Sequence, residues 1–226
     1  MQRHLLLLLL SLSLASPALA GGVDIAWDNC RGEPGAGSLK EFACGNNLGG
    51  ESLWISFESS VSAPSMGRFE VAIDFHSRDG GTLPVWWDFE DFASCRRGAL
   101  QVDKGGAVET PTCARIFTSA NRPTWVVDRV DYMLPTPDAG RMVIAAAVSG
   151  PLVANQRYLA CIFTLLHANT ASCAGCDVPV VISVTAVRPD GIIISNPLHQ
   201  NFVYWQQTNP TATRATTWGA LKGLYR

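Results

Sequence analysis

The segment GRFEVAIDFHS, residues 67–77, alternates Phe69, Val71, Ile73 and Phe75 with Glu70, Ala72, Asp74 and His76. A repeat of two residues puts each set on its own face of an extended chain, so the segment predicts a strand with one dry and one wet face. Similar short apolar runs occupy 23–27, 53–58, 84–89, 124–130, 141–148, 157–167, 179–187, 191–195 and 202–206. Turn-forming clusters separate many of them: RDGG at 78, LPTPDAG at 134, SGP at 149, RPDG at 188 and SNP at 195. About ten short strands so spaced predict an all-β chain, a two-sheet antiparallel β-sandwich or jelly roll. Residues 99–116, rich in Gly, Thr and Pro, are expected to form an irregular excursion pinned by a disulfide.

The ends break the pattern. Arg3 and His4 precede the apolar run Leu5 to Leu10, and Ala18-Leu19-Ala20 offers the small residues that signal peptidase accepts. Residues 1–20 are therefore expected to be a signal peptide, since the run is far below the roughly 20 residues needed to span a bilayer. Residues 21–226 are expected to form a single β-sandwich domain, secreted or held in the periplasm or at the cell surface, without membrane insertion. At the other end Trp218, Leu221 and Tyr225 recur at helical spacing behind Thr216 and Thr217, predicting a short C-terminal helix.

Seven cysteines, at 30, 44, 95, 113, 161, 173 and 176, all follow the expected cleavage point. In an oxidising compartment disulfides are the default. Cys161 lies inside the apolar strand RYLACIFTLL and is expected to be a buried free thiol, while the other six lie beside turn residues. Sequence order suggests the bridges Cys30 to Cys44, Cys95 to Cys113 and Cys173 to Cys176, one of the 15 pairings that six cysteines allow. CAGC at 173–176 precedes a strand, not a helix whose N-terminus would stabilise a thiolate, so a structural loop bridge is preferred over a redox or metal site.

The formal charge of −2 comes without any dense run of Lys or Arg, which argues against nucleic acid as a partner. No metal site, cofactor or catalytic residue is predicted. His76, Ser77 and Asp79 are neighbours in sequence only, and no nucleophile elbow accompanies them. The acidic groups Asp24 with Asp28, Asp88 with Glu90 and Asp91, and Asp128 with Asp131 could supply a glycosidase pair only if two carboxyls faced each other across a cleft.

The stretch LPVWWDF at 83–89 is the sharpest puzzle. In a strand Trp86 and Trp87 would point to opposite faces, leaving one ring off the main core. The following EDFASCRR is expected to cover that ring. If it stays open, the ring can stack on a sugar or join a protein interface, which makes Trp86, Trp87 and Asp88 the ligand-binding candidates.

LPVWWDF followed by SCR, RYLACIF before CAGCDVPVVISV, then NPLHQNFVYWQ and the closing TWGALKGLYR, resembles a group of secreted bacterial proteins to which no activity is attached. The resemblance implies export and a shared fold. In architecture the late strands are similar to cohesin and carbohydrate-binding sandwiches. The expected function is thus a non-catalytic secreted or cell-surface module contacting an extracellular glycan or protein. The competing expectations are a secreted carboxylate-dependent glycoside hydrolase using Asp88 or Glu90, and a surface assembly subunit.

Overall fold

A computed structural model describes residues 21–89, 93–103, 113–115, 126–147 and 150–206; for 103, 114–115 and 126–135 it describes the backbone alone. The expected signal peptide and C-terminal helix lie outside the described residues, as do Glu90 and Asp91.

The chain is all-β, built from two sheets. The five-stranded sheet has the order β1 (Gly22–Trp27), β3 (Gly50–Glu58), β9 (Arg157–Leu166) and β5 (Leu100–Asp103), with β6 (Ala114–Arg115) also on β9. The six-stranded sheet runs β2 (Leu39–Lys40), β11 (Phe202–Trp205), β10 (Val180–Pro189), β4 (Arg68–Ser77), β8 (Ala139–Ala147) and β7 (Val126–Thr136). Pairing is antiparallel except at the two-residue strands β2 and β6, which run parallel to β11 and β9.

Alternation decides what lies between the sheets. Val23, Ile25 and Trp27 of β1, Leu53, Ile55 and Phe57 of β3, Phe69, Val71, Ile73 and Phe75 of β4, and Met142, Ile144 and Ala146 of β8 all enter one core. Phe57 and Phe69 meet across the layers with ring centroids 5.6 Å apart. Cys161, opposite Ile55 in the register, is fully buried in the same core and forms no disulfide.

Three expectations are corrected. Residues 84–89 are no strand: Pro84, extended at φ −63°, leads into a single 3-10 turn, Val85–Trp87. Successive side chains on such a turn diverge by about 120° rather than 180°, so both tryptophans can enter one core. Residues 191–195 contribute only an isolated bridge between Val187 and Ile194, because Asp190 (φ 50°) and Gly191 (φ 84°) fold the chain straight back on β10. The region 99–116 carries the short strands β5 and β6 and is held by a disulfide at Cys113, while residues 104–112 and 116, on which the expected irregular excursion falls, lie outside the described residues.

A further correction concerns the cross-links. The bridges are Cys30–Cys113, Cys44–Cys176 and Cys95–Cys173, with sequence separations of 83, 132 and 78. None of the three local pairs forms. Loop closure favours near neighbours only in an unfolded chain, whereas in the folded chain sheet pairing such as β3 with β9 brings remote segments together. The two cysteines of CAGC therefore hold two separate segments to one turn. Gly175 makes that turn possible: it sits at φ 96°, and a Cβ there would fall 2.1 Å from Cβ of Pro84.

Candidate functional site

Trp86 and Trp87 are both fully buried, so neither ring offers a surface to a ligand, and their ligand-binding role is withdrawn. They form an aromatic box with Trp27 and Trp205, also fully buried. Trp86 stacks on Trp205 at 4.9 Å and meets Trp87 edge-on at 4.9 Å, while Trp27 lies 5.8 Å from Trp205. Three of the indole N–H groups have acceptors: Trp86 donates to Oγ1 of Thr170 at 3.3 Å, Trp205 to the Cys176 carbonyl at 2.8 Å and Trp27 to the Tyr204 carbonyl at 3.0 Å. Asp88 is half-buried, and its carbonyl accepts from the Ser94 hydroxyl. Of the described residues that follow, Arg96 covers the box, its guanidinium 4.1 Å from the Trp86 ring centroid.

Asp24 and Asp28 are both held by cationic side chains. Oδ1 of Asp24, fully buried, accepts the backbone N–H of His199 (2.8 Å) and of Gln200 (2.9 Å), and Oδ2 lies 2.9 Å from Nδ1 of His199 and 3.3 Å from Arg157. Asp28 is held by Lys40 at 2.8 Å, and Lys40 also reaches Glu51. Asp24 and Asp28 thus form two separate ion clusters and no facing pair. Asp128 and Asp131 lie on β7, among the residues described by backbone alone. His76 and Ser77 end β4, with a turn at Asp79.

The outer faces of the two sheets differ. On the five-stranded sheet the outward positions Asp24, Ala26, Trp54, Ser56, Leu159 and Ile162 are all buried. Trp54, Leu159 and Ile162 form a second apolar cluster with Cys30 and Cys113, so this disulfide clamps a layer over the sheet. Arg157 ties that layer down, donating to the Arg31 carbonyl at 2.8 Å while facing Asp24 and Glu58.

Among the described residues, the outer face of the six-stranded sheet is partly open. Register sets its side chains in rows: Phe202, Ser183, Asp74 and Arg141 in one, and Tyr204, Val181, His76 and Ala139 in the next. Phe202 is 37% exposed and meets Tyr204 edge-on at 5.5 Å, and Leu39 of β2, paired with Tyr204, is 39% exposed. Two strands away Asp74 takes a bidentate bond from Arg141, 2.6 Å to Nε and 2.7 Å to Nη2, which raises the guanidinium pKa. With neighbouring strands about 4.8 Å apart, the aromatic edge and the charged fork are separated by roughly 10 Å.

Sequence reasoning missed this face, although the signal was present in NFVYWQ. There Phe202 and Tyr204 alternate with the buried Val203 and Trp205. Among the described residues no group of three His, Cys, Asp or Glu side chains is placed to hold a metal ion. No helix among them is long and apolar enough to cross a membrane.

Fold and site together define a class: a disulfide-linked two-sheet sandwich whose described residues show one sheet largely covered on its outer face and the other partly open. A search against protein-family models and against curated proteins finds no match to the chain.

Proposed function

We propose that the chain is a non-catalytic, exported binding module, and that it contacts a glycan through the open face of the six-stranded sheet. The observation that carries this reading is the pairing of two flat rings, the exposed Phe202 and the half-buried Tyr204, with polar groups, Ser183, His76 and the Asp74–Arg141 fork, on one face of the six-stranded sheet. A sugar ring has an apolar C–H face that stacks on aromatic rings and a hydroxyl rim that hydrogen-bonds to such groups. Three disulfides support an oxidising compartment, in keeping with the expected signal peptide. A hydrolytic reading finds less support, because Asp24, Asp28 and Asp74 each face a cationic side chain rather than a free space.

Isothermal titration of the secreted chain with a panel of soluble oligosaccharides tests the proposal. Binding to at least one is expected, with Phe202→Ala and Tyr204→Ala each weakening it about tenfold, the loss of one stacking contact. No heat with any oligosaccharide would end the glycan reading. Concentration-dependent oligomers in light scattering, abolished by Phe202→Ala, would instead assign the face to assembly.

A further inference from the structure

Cys173 and Cys176 share one turn yet are bonded to different partners, Cys95 and Cys44. Their own sulfurs are nearly buried, at 5% and 2% residue exposure, whereas Cys44 and Cys95 are half-buried. A reductant therefore meets the outer cysteines first. The side chain of Gln206 adds a second, independent feature. Its Nε2 lies 3.1 Å from Sγ of Cys44 and 3.8 Å from Sγ of Cys176. The amide is locked there, since Nε2 donates to the Phe42 carbonyl at 2.8 Å and Oε1 accepts the Phe42 N–H at 3.4 Å. A disulfide sulfur is a weak acceptor and gains little from this N–H, but a thiolate formed at either position gains a hydrogen bond to a charged group.

We propose that the CAGC turn is a thiol–disulfide exchange centre that couples the two staples, so that one reduction by an external dithiol opens both. The dithiol's first thiolate attacks Sγ of Cys44; the Cys44–Cys176 bond breaks and its electron pair leaves on Cys176, beside Gln206. The dithiol's second sulfur then displaces Cys44 as a thiol and departs as a cyclic disulfide. The Cys176 thiolate attacks Sγ of Cys173, three residues away; the Cys95–Cys173 bond breaks, and Cys95 leaves as a thiolate that takes a proton from water. Two electrons enter, one dithiol is oxidised, and the products are free thiols at Cys44 and Cys95 and a closed Cys173–Cys176 bridge. Such an exchange runs at the high effective concentration of an intramolecular step. Its outcome is the release of the segments carrying Cys44 and Cys95 from the turn that anchors them to the tryptophan box. Cys30–Cys113, with both residues fully buried, stands apart from it.

The test is limited reduction of the native full chain with dithiothreitol, followed by acid quench, alkylation and peptide mapping. The first reduced species is expected to carry new labels on Cys44 and Cys95, with Cys173 linked to Cys176. Labels on Cys44 and Cys176 with Cys95–Cys173 intact would overturn the coupling. So would prior loss of Cys30–Cys113, or resistance of all three bridges until denaturant is added. Gln206→Leu should slow the first opening about fivefold, and an unchanged rate would remove Gln206 from the mechanism.

Discussion

Arg96 lies with its guanidinium 4.1 Å from the ring centroid of Trp86 and is itself fully buried. It donates to the carbonyls of Leu166 (2.6 Å) and Ala168 and to Oγ1 of Thr170 (3.2 Å), the hydroxyl that also receives the Trp86 indole N–H. Burial lowers its pKa to about 10, which still leaves it charged at neutral pH. Arg96 thus joins the tryptophan box to the strand end that leads into CAGC, and its neighbour Cys95 makes the same connection covalently.

Replacing it removes three side-chain hydrogen bonds and the contacts with two rings, Trp86 and Phe89, at once. Arg96→Met should cost about 3 kcal/mol, because the carbonyls of Leu166 and Ala168 lose their donor. Arg96→Lys should recover little, since an ammonium group lacks the planar fork that reaches separate acceptors. Urea unfolding monitored by tryptophan fluorescence reads both, and a loss below about 1 kcal/mol for the Met variant would contradict this role.

Asp24 holds residues 199 and 200 against β1 through both oxygens. Asp24→Asn keeps one acceptor oxygen but turns an amide N–H₂ toward the donors of Arg157 or His199. A loss of about 2 kcal/mol is expected, the cost of facing donors with an N–H₂ group in a buried site. Amide hydrogen exchange at His199 and Gln200 should accelerate in the variant while that of β4 shifts only with global stability.

Gly175 cannot gain a side chain without displacing Pro84. Gly175→Ala combines left-handed backbone strain with a backbone-proximal clash, together about 3 kcal/mol, or a fall in Tm of roughly 10 °C for a chain of this size. Differential scanning calorimetry measures it. A variant as stable as the parent would mean that the turn and Pro84 are not in contact.

Burial pushes the Cys161 thiol well above its ordinary pKa. The sign follows from linkage: an acid whose folded pKa is raised contributes stability that is complete below its unfolded pKa, near 8.5. That stability is lost as pH rises from there toward the folded value. Between about pH 9 and 10.5 the parent should therefore lose about 1.4 kcal/mol per pH unit more than Cys161→Val. Rapid unfolding measurements, completed before thiol exchange begins, would show equal slopes if the thiol were exposed.

Much of the fold was legible. The alternation of β4 and of β11 is a local property of the backbone, and each residue's face follows from its parity along the strand. The buried setting of Cys161 was legible for the same reason. The tryptophan pair was not, since a three-residue turn and a strand share the same letters, and only the contacts of Trp86 with Trp205 and Thr170 select the turn.

Sequence alone determined that this protein is all-β and which side chains each strand sets on opposite faces, because pleat periodicity depends on neighbours a few residues away. Only the tertiary structure decided which cysteines meet and which outer face stays open. Those choices depend on segments 78 to 132 residues apart, and on a layer clamped by Cys30–Cys113 that covers one sheet and leaves Phe202 exposed and Tyr204 half-buried on the other. Contacts of that range are set by the packing of whole sheets, which no local pattern encodes.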